Sequence, residues 1–241
     1  MIEMVRRFLR QKFGSIGILI ALSVLSLVTA LQVAATGNPS ALESGFLALL
    51  LLAAGSVSRD ASSGALQMIL ARPIRRVAYL YGRYVGILAA YAIYVLATAF
   101  LAVVLGQLAR RLLPGAPAQG LPAASLALGI AESLLGAAFF AAILLFFSTF
   151  LRGYADVLAY ILLTLLLALP DALAGPLRRP WLSKLGAIAR DNLLPRVPWR
   201  EVLRGERVFQ AATGEYVLAL VLYLTLAAVI FSRREFSYGQ E

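Results

Sequence analysis

Three carboxylates, Glu43, Glu132 and Asp156, stand in or beside long apolar runs of this 241-residue chain, where an ionisable group is costly and calls for a chemical explanation. A carboxylate in such a setting can relay a proton or line a polar path, so these three are the candidates for a translocation path. Each also has a structural explanation. Glu43 follows Ser40 by three residues and makes a Ser-x-x-Glu capping box at the start of an apolar run. Asp156 falls in the first turn of a predicted helix, four residues after Arg152, where the helix dipole favours negative charge. Glu132 lies about two turns inside a run of Leu, Ile and Ala. It is either neutral and hydrogen-bonded or borders a polar path.

Absent residue types exclude much else. With no Cys and no His, the chain has no thiolate nucleophile, no disulfide and no imidazole for acid–base or metal chemistry. Its two lysines, Lys12 after Gln11 and Lys184 after Ser183, do not fit a G-x-x-x-x-G-K-[ST] phosphate loop, so the chain does not bind ATP that way. No carboxylate pair converges on a Ser or a metal motif. The chain is therefore expected to be non-catalytic, without a metal or cofactor of its own.

The elements that must carry these residues are apolar. Hydrophobic residues make up 61% and charged residues 14% of the chain, against roughly 45–50% and about 25% in a soluble domain. This is the composition of an all-α integral membrane protein, and its apolar runs predict six transmembrane helices at 16–35, 41–57, 85–107, 125–151, 155–173 and 214–232. A single transmembrane domain over 1–241 is the simplest organisation. The apolar heart of the fifth run, Val157 to Leu169, is short for a span and needs its flanks. Residues 1–13 predict an interfacial helix, with Met1, Met4, Val5, Phe8 and Leu9 on one face and Arg6, Arg7, Arg10 and Lys12 largely on the other. A basic start, an apolar stretch and small residues near Ala30 also fit a signal peptide. The length of the run and the amphipathic helix before it favour a span. Between the last two spans, 174–213 is broken by several prolines and predicts short surface helices, one with Trp181, Leu182, Leu185, Ile188 and Ala189 on a face and one beginning at Trp199.

The net charge of +10 is not a nucleic-acid signature, because the arginines sit mostly between apolar runs, where they anchor spans at lipid headgroups. Among the short loops, Arg110 and Arg111 lie on one side. The first twelve residues, the segment 58–84, Arg152 and Arg233-Arg234 put their basic residues on the other. The positive-inside rule then sets both termini in the cytoplasm.

The connector 58–84 contains a short helix with its own logic. Asp60 can cap it, Leu66, Ile69 and Leu70 share a face, and Pro73 ends it. A helix of this kind either rests on headgroups or serves as a handle for another protein. Asp60, Gly64-Ala65-Leu66-Gln67, Leu70, Pro73, Arg76 and Gly82-Arg83 resemble the acidic-x-x-x-Gly-(small)-Leu-(Glu/Gln)…Leu…Pro-x-x-Arg…Gly-(Lys/Arg) connector of ABC-2 type transporter permeases. The resemblance extends in organisation to the amphipathic start, six spans, surface helices before the last span and the Phe231-x-Arg233-Arg234-Glu235 ending. Ala61 and Ala65 depart from it, standing where Arg and Thr are frequent. The resemblance implies a type V ABC exporter-like fold in the cytoplasmic membrane of a prokaryote. It implies a cytoplasmic coupling helix docked on a separate ABC-type ATPase subunit, which would hold the ATP and magnesium. It also implies a second permease chain, identical or related. Leu66, Leu70 and the Gly64 turn would be the docking contacts, Gln67 and Pro73 part of the same motif, and Asp60 and Arg76 would fix orientation.

Gly82-x-x-x-Gly86 and the small residues of the third and fourth spans predict close helix packing, and the many Tyr and Phe residues near span ends fit an aromatic belt. The leading expectation is a permease that exports a lipid, drug-like or other amphipathic substrate in contact with membrane lipids and no nucleic acid. The alternative is a proton-coupled secondary carrier using Glu132 with Glu43 or Asp156. A structural anchor without transport is the third.

Overall fold

The structure, a computed structural model, describes residues 2–57, 60, 75–112, 122–151, 154–174, 180–195, 197–205 and 211–233. These form helices and turns. Helix α1 spans Ile2–Phe13 and α2 Ile16–Thr36, after which a 3-10 stretch, Pro39–Gly45, leads directly into α3, Phe46–Ala53. Then come α4 (Arg76–Leu112), α5 (Ala123–Phe150), α6 (Ala155–Ala174), α7 (Pro180–Leu193), α8 (Trp199–Leu203) and α9 (Ala211–Arg233). Among the described residues five helices, α2, α4, α5, α6 and α9, are long and apolar enough to cross a membrane. The chain is an all-α protein of membrane character.

The predicted second span is built differently from the other five. Its apolar residues are present, but only Phe46–Ala53 is α-helical, about 12 Å of helix. The stretch before it is wound as a 3-10 helix for local reasons. Gly37, at φ 64°, ends α2 with its N–H on the Val33 carbonyl at 2.9 Å, a left-handed C-cap. Asn38 gives its N–H to Thr36 Oγ1, and its own Oδ1 accepts the Ser40 N–H at 3.1 Å. The Ser40 N–H, which a capping box would direct at Glu43, is thus engaged in an Asx turn. Pro39 then sits hard against α5: a Cβ on Gly129 would lie 2.9 Å from the Pro39 carbonyl oxygen. Hydropathy alone does not separate this tight winding from an α-helix.

By internal contacts the chain forms two compact units, residues 1–53 with 78–141 and residues 54–77 with 142–241. The first has an apolar core of Ala30 and Val33 from α2, Leu42 from the 3-10 stretch, and Ala99 and Ala102 from α4. Leu126 and Ile130 of α5 pack against it. Small residues at the α2–α4 contact let the helices approach closely, as a membrane interior favours.

Gly82 and Gly86 do form a close-packing notch, and its occupant is α1. A Cβ on Gly82 would meet Met4 Sδ at 3.0 Å, and one on Gly86 would meet the Phe8 ring at 3.0 Å. Phe8 is fully buried as a result. Lys12, assigned to the polar face of α1 by its charge, is buried too. Its ammonium donates to the Leu51 carbonyl at 3.4 Å and lies 5.8 Å from the centre of the Phe8 ring. The last carbonyls of α3 lack helical partners and carry negative partial charge, so they accept a cation well.

In the second unit α7 packs along α6. Tyr223 of α9 donates to the Leu193 carbonyl at the end of α7 at 3.3 Å, and Trp199 of α8 meets Tyr216 of α9 edge-on at 4.8 Å. Helix α6 runs twenty residues with Pro170 inside it, so the short fifth run is lengthened by both flanks. The segment predicted as surface helices contains α7 and α8, and Trp181 and Ile188 of α7 are exposed.

Candidate functional site

The polar geometry of the second unit gathers where the connector leaves α3. Residues Ala54–Val57 form a buried turn, with Gly55 at φ 63°, a backbone state that a side chain disfavours. Asp156, fully buried in the first turn of α6, receives the Gly55 N–H on Oδ2 at 2.9 Å and the Val157 N–H on Oδ1 at 2.9 Å. Ser148 of α5, also fully buried, accepts the Val57 N–H on Oγ at 3.1 Å. Two N–H groups of the turn, those of Gly55 and Val57, are thereby held by two different helices. In an apolar setting a buried N–H without a partner is expensive, which makes these acceptors a structural requirement of this turn.

Asp156 therefore sits at the positive end of its helix, as the sequence suggests, and its carboxylate is committed to backbone donors on both oxygens. Arg152, four residues before it, lies outside the described residues. So do Gly64, Leu66, Gln67, Leu70 and Pro73, the centre of the expected docking motif. Asp60 is described: it is helical and buried, 5% exposed. Arg76, at the other end of the connector, is solvent-exposed and donates from Nη1 to the Ser232 carbonyl at 3.0 Å. This places a guanidinium over the last turn of α9, where the dipole favours it. Both described ends of the connector are thus hydrogen-bonded to long helices of one unit.

The other two carboxylates belong to the first unit. Glu43 lies in the 3-10 stretch, and its side chain is outside what is described. Glu132 is half-buried in α5, next to Ser133. Ser133 faces a group of hydroxyls: its Oγ is 2.8 Å from the Tyr91 hydroxyl and donates to the Leu42 carbonyl at 3.4 Å. Tyr91 and Tyr94 stack at 6.0 Å on α4. Both are buried well inside the apolar run.

Arg83, the last residue of the connector motif and one of the basic residues of segment 58–84, is 5% exposed. Its Nε donates to Tyr79 Oη at 3.1 Å and its Nη1 to Gln11 Oε1 at 3.2 Å, with the guanidinium 5.4 Å from the Phe8 and Tyr79 ring centres. It fastens α1 to α4. Planar guanidinium stacking on aromatic faces makes such burial tolerable for Arg.

Sequence reading singled out Asp156 and Arg76 but missed Ser148, Gly55, Tyr91 and Tyr94. The signal for Ser148 was present: Ser148-Thr149 is a polar pair inside an otherwise apolar helix, where hydroxyls require partners. Among the described residues no group of acidic residues could hold a metal ion. The chain matches no family model, and no curated protein matches it.

Proposed function

We propose that this chain is the membrane-spanning permease subunit of an ATP-driven ABC-2 type transporter, and that it exports a lipid, drug-like or other amphipathic substrate. A separate ATPase subunit docks on residues 60–73 through Leu66 and Leu70, oriented by Asp60 and Arg76. The chain works with a second permease copy or relative in a prokaryotic cytoplasmic membrane, with both termini inside. Five long helices and the apolar stretch Pro39–Ala53 make up its six crossings.

The observation that carries this reading is the anchoring of the connector. On one side Gly55 and Val57 are held by Asp156 and Ser148, and on the other Arg76 is held at the Ser232 carbonyl. A surface loop that merely rests on headgroups needs no such attachment. A handle does, because displacement at 60–73 must reach the spans. Here it reaches α5, α6 and α9, which is what rocking of helices by an ATPase cycle requires.

The test is to tag the chain, extract it gently from its native membrane, and identify the polypeptide and ATPase activity that accompany it. A stoichiometric P-loop ATPase, lost with Leu70→Asp while the permease stays in the membrane, supports the reading. Unchanged co-purification in that variant removes the docking role of this face. A homogeneous preparation without ATPase, whose transport is abolished by an uncoupler, turns the reading to a proton-coupled carrier built on Glu132.

A further inference from the structure

In the first unit, a buried hydroxyl stands without a hydrogen-bond partner in the middle of an apolar bundle. Tyr94 is 5% exposed, and its Oη is buried with no partner. Its neighbours are polar. Gly45, at the junction of the 3-10 stretch and α3, lies under both tyrosines: a Cβ there would be 3.0 Å from Tyr94 Cε1 and 3.1 Å from Tyr91 Oη. Across from them Ser133 Oγ is 2.8 Å from Tyr91 Oη and donates to the Leu42 carbonyl.

The direction of these bonds fixes what the group can still offer. Ser133 spends its proton on Leu42, so Tyr91 must donate to Ser133. The Tyr94 proton is then the uncommitted donor of this group. Burying a hydroxyl unpaired is costly, and removing one that serves no purpose is nearly free. An idle orphan at this position is therefore an anomaly, whereas a donor awaiting an acceptor is not.

We infer that Tyr94, with Tyr91, Ser133 and the Leu42 carbonyl around it, forms a subsite that takes a neutral hydrogen-bond acceptor, an ester, amide or ether oxygen, of an amphipathic molecule. This names a substrate class for the proposed permease and rests on that reading for its physiological meaning. Charged headgroups do not fit, since the cluster offers hydroxyls and a carbonyl in an apolar surround. A methyl group at Gly45 would meet Tyr94 Cε1 and Tyr91 Oη at 3.0–3.1 Å, so the 3-10 stretch packs closely on both tyrosines. The ligand enters when the 3-10 stretch moves off α4. Such a stretch is suited to moving, because its hydrogen-bond geometry is poorer than that of an α-helix.

The test uses the purified full chain in a neutral detergent and three probes with one tail: decyl acetate, decane and decyltrimethylammonium. Decyl acetate at ten times its dissociation constant should raise the unfolding midpoint of the wild type by about 3–6 °C. Decane and the ammonium probe should not. Tyr94→Phe should raise the probe-free midpoint by about 2–4 °C, because an unpaired hydroxyl is removed, and should abolish the acetate shift. Tyr91→Phe, which breaks the bond to Ser133, should lower the probe-free midpoint. The inference is overturned if Tyr94→Phe destabilises or unfolds the chain, if its acetate shift equals that of the wild type, or if decane or the cation shifts the wild type equally. Absence of any acetate shift overturns it as well. No ATPase enters this measurement, so its failure and loss of the docking reading are separate results.

Discussion

Replacing Asp156 with Ala tests whether the turn at the root of the connector is held as argued. Two donors lose their acceptor, Gly55 N–H and Val157 N–H, each at 2.9 Å in the wild type. The two losses are unequal. Val157 is in the first turn of α6, where N–H groups have no helical acceptor in any case and a water or neighbouring group can substitute. Gly55 is in a buried turn, and stranding its N–H costs about 1–3 kcal/mol. A total of about 2–3 kcal/mol follows, or roughly 4–12 °C in the unfolding midpoint of a chain this long. Asp156→Asn discriminates further. Both partners are donors, so a side-chain amide presents its NH2 to one of them and can satisfy only the other. The Asn variant should lose about half of what the Ala variant loses. The assay is thermal unfolding of the purified chain in neutral detergent, followed by circular dichroism. An Ala variant within about 1 °C of wild type would refute the claim that the carboxylate holds this turn. An Asn variant as stable as wild type would refute the requirement for two acceptors.

Other predictions follow from single contacts. Gly86→Val drives side-chain carbons into the Phe8 ring, which a Cβ alone would already meet at 3.0 Å; α1 should detach, and trypsin should then cut at Lys12, which is buried in the wild type. Uncut Lys12 in this variant would mean that the notch does not hold α1. Ser148→Ala leaves the Val57 N–H without its acceptor and should lower the midpoint by about 2–6 °C, and combined with Asp156→Ala the losses should not add, because both act on one turn. Ser63→Cys and Ser183→Cys, introduced singly into a chain without native Cys, should react with an impermeant thiol reagent from the inside and the outside respectively; outside labelling at Ser63 inverts the topology.

The apolar runs made α2, α4, α5, α6 and α9 readable from sequence, because a span is mainly a matter of length and hydropathy and both are local. The stretch Pro39–Gly45 was not readable in the same way. It is more polar than the runs on either side, but its winding is set by Pro39 against Gly129 and by Gly45 under two tyrosines, contacts across about 50–90 residues. Lys12 was assigned to a polar helix face by charge and Arg83 to the polar connector. Their long stems and a nearby aromatic ring allow burial, and periodicity carries no information about which helix a cation will lie against. Of the candidate site, Asp156 was legible from its position in the first turn of a helix and Arg76 from the connector motif. Ser148 was not, since its partner is 91 residues away in sequence. Tyr91 and Tyr94 went unremarked inside an apolar run, although their spacing of three on α4 puts them on one buried face.

The contrast between the carboxylates bears on the two competing mechanisms. A proton carrier needs an acid whose protonation changes while its surroundings accommodate both states. Asp156 is badly suited, because both its oxygens face backbone donors that cannot turn away, so neutralising it weakens two bonds at once. That arrangement makes the carboxylate a fixed fastening. Glu132, half-buried and next to Ser133 on α5, is not one of the acceptors that hold that turn. The carrier reading therefore narrows to Glu132, and a carrier working through it has no use for a connector fastened at both ends. The fastening is instead what a mechanical input needs: a turn that moves as one body with α6 passes on displacement at 60–73, while a loose turn would absorb it.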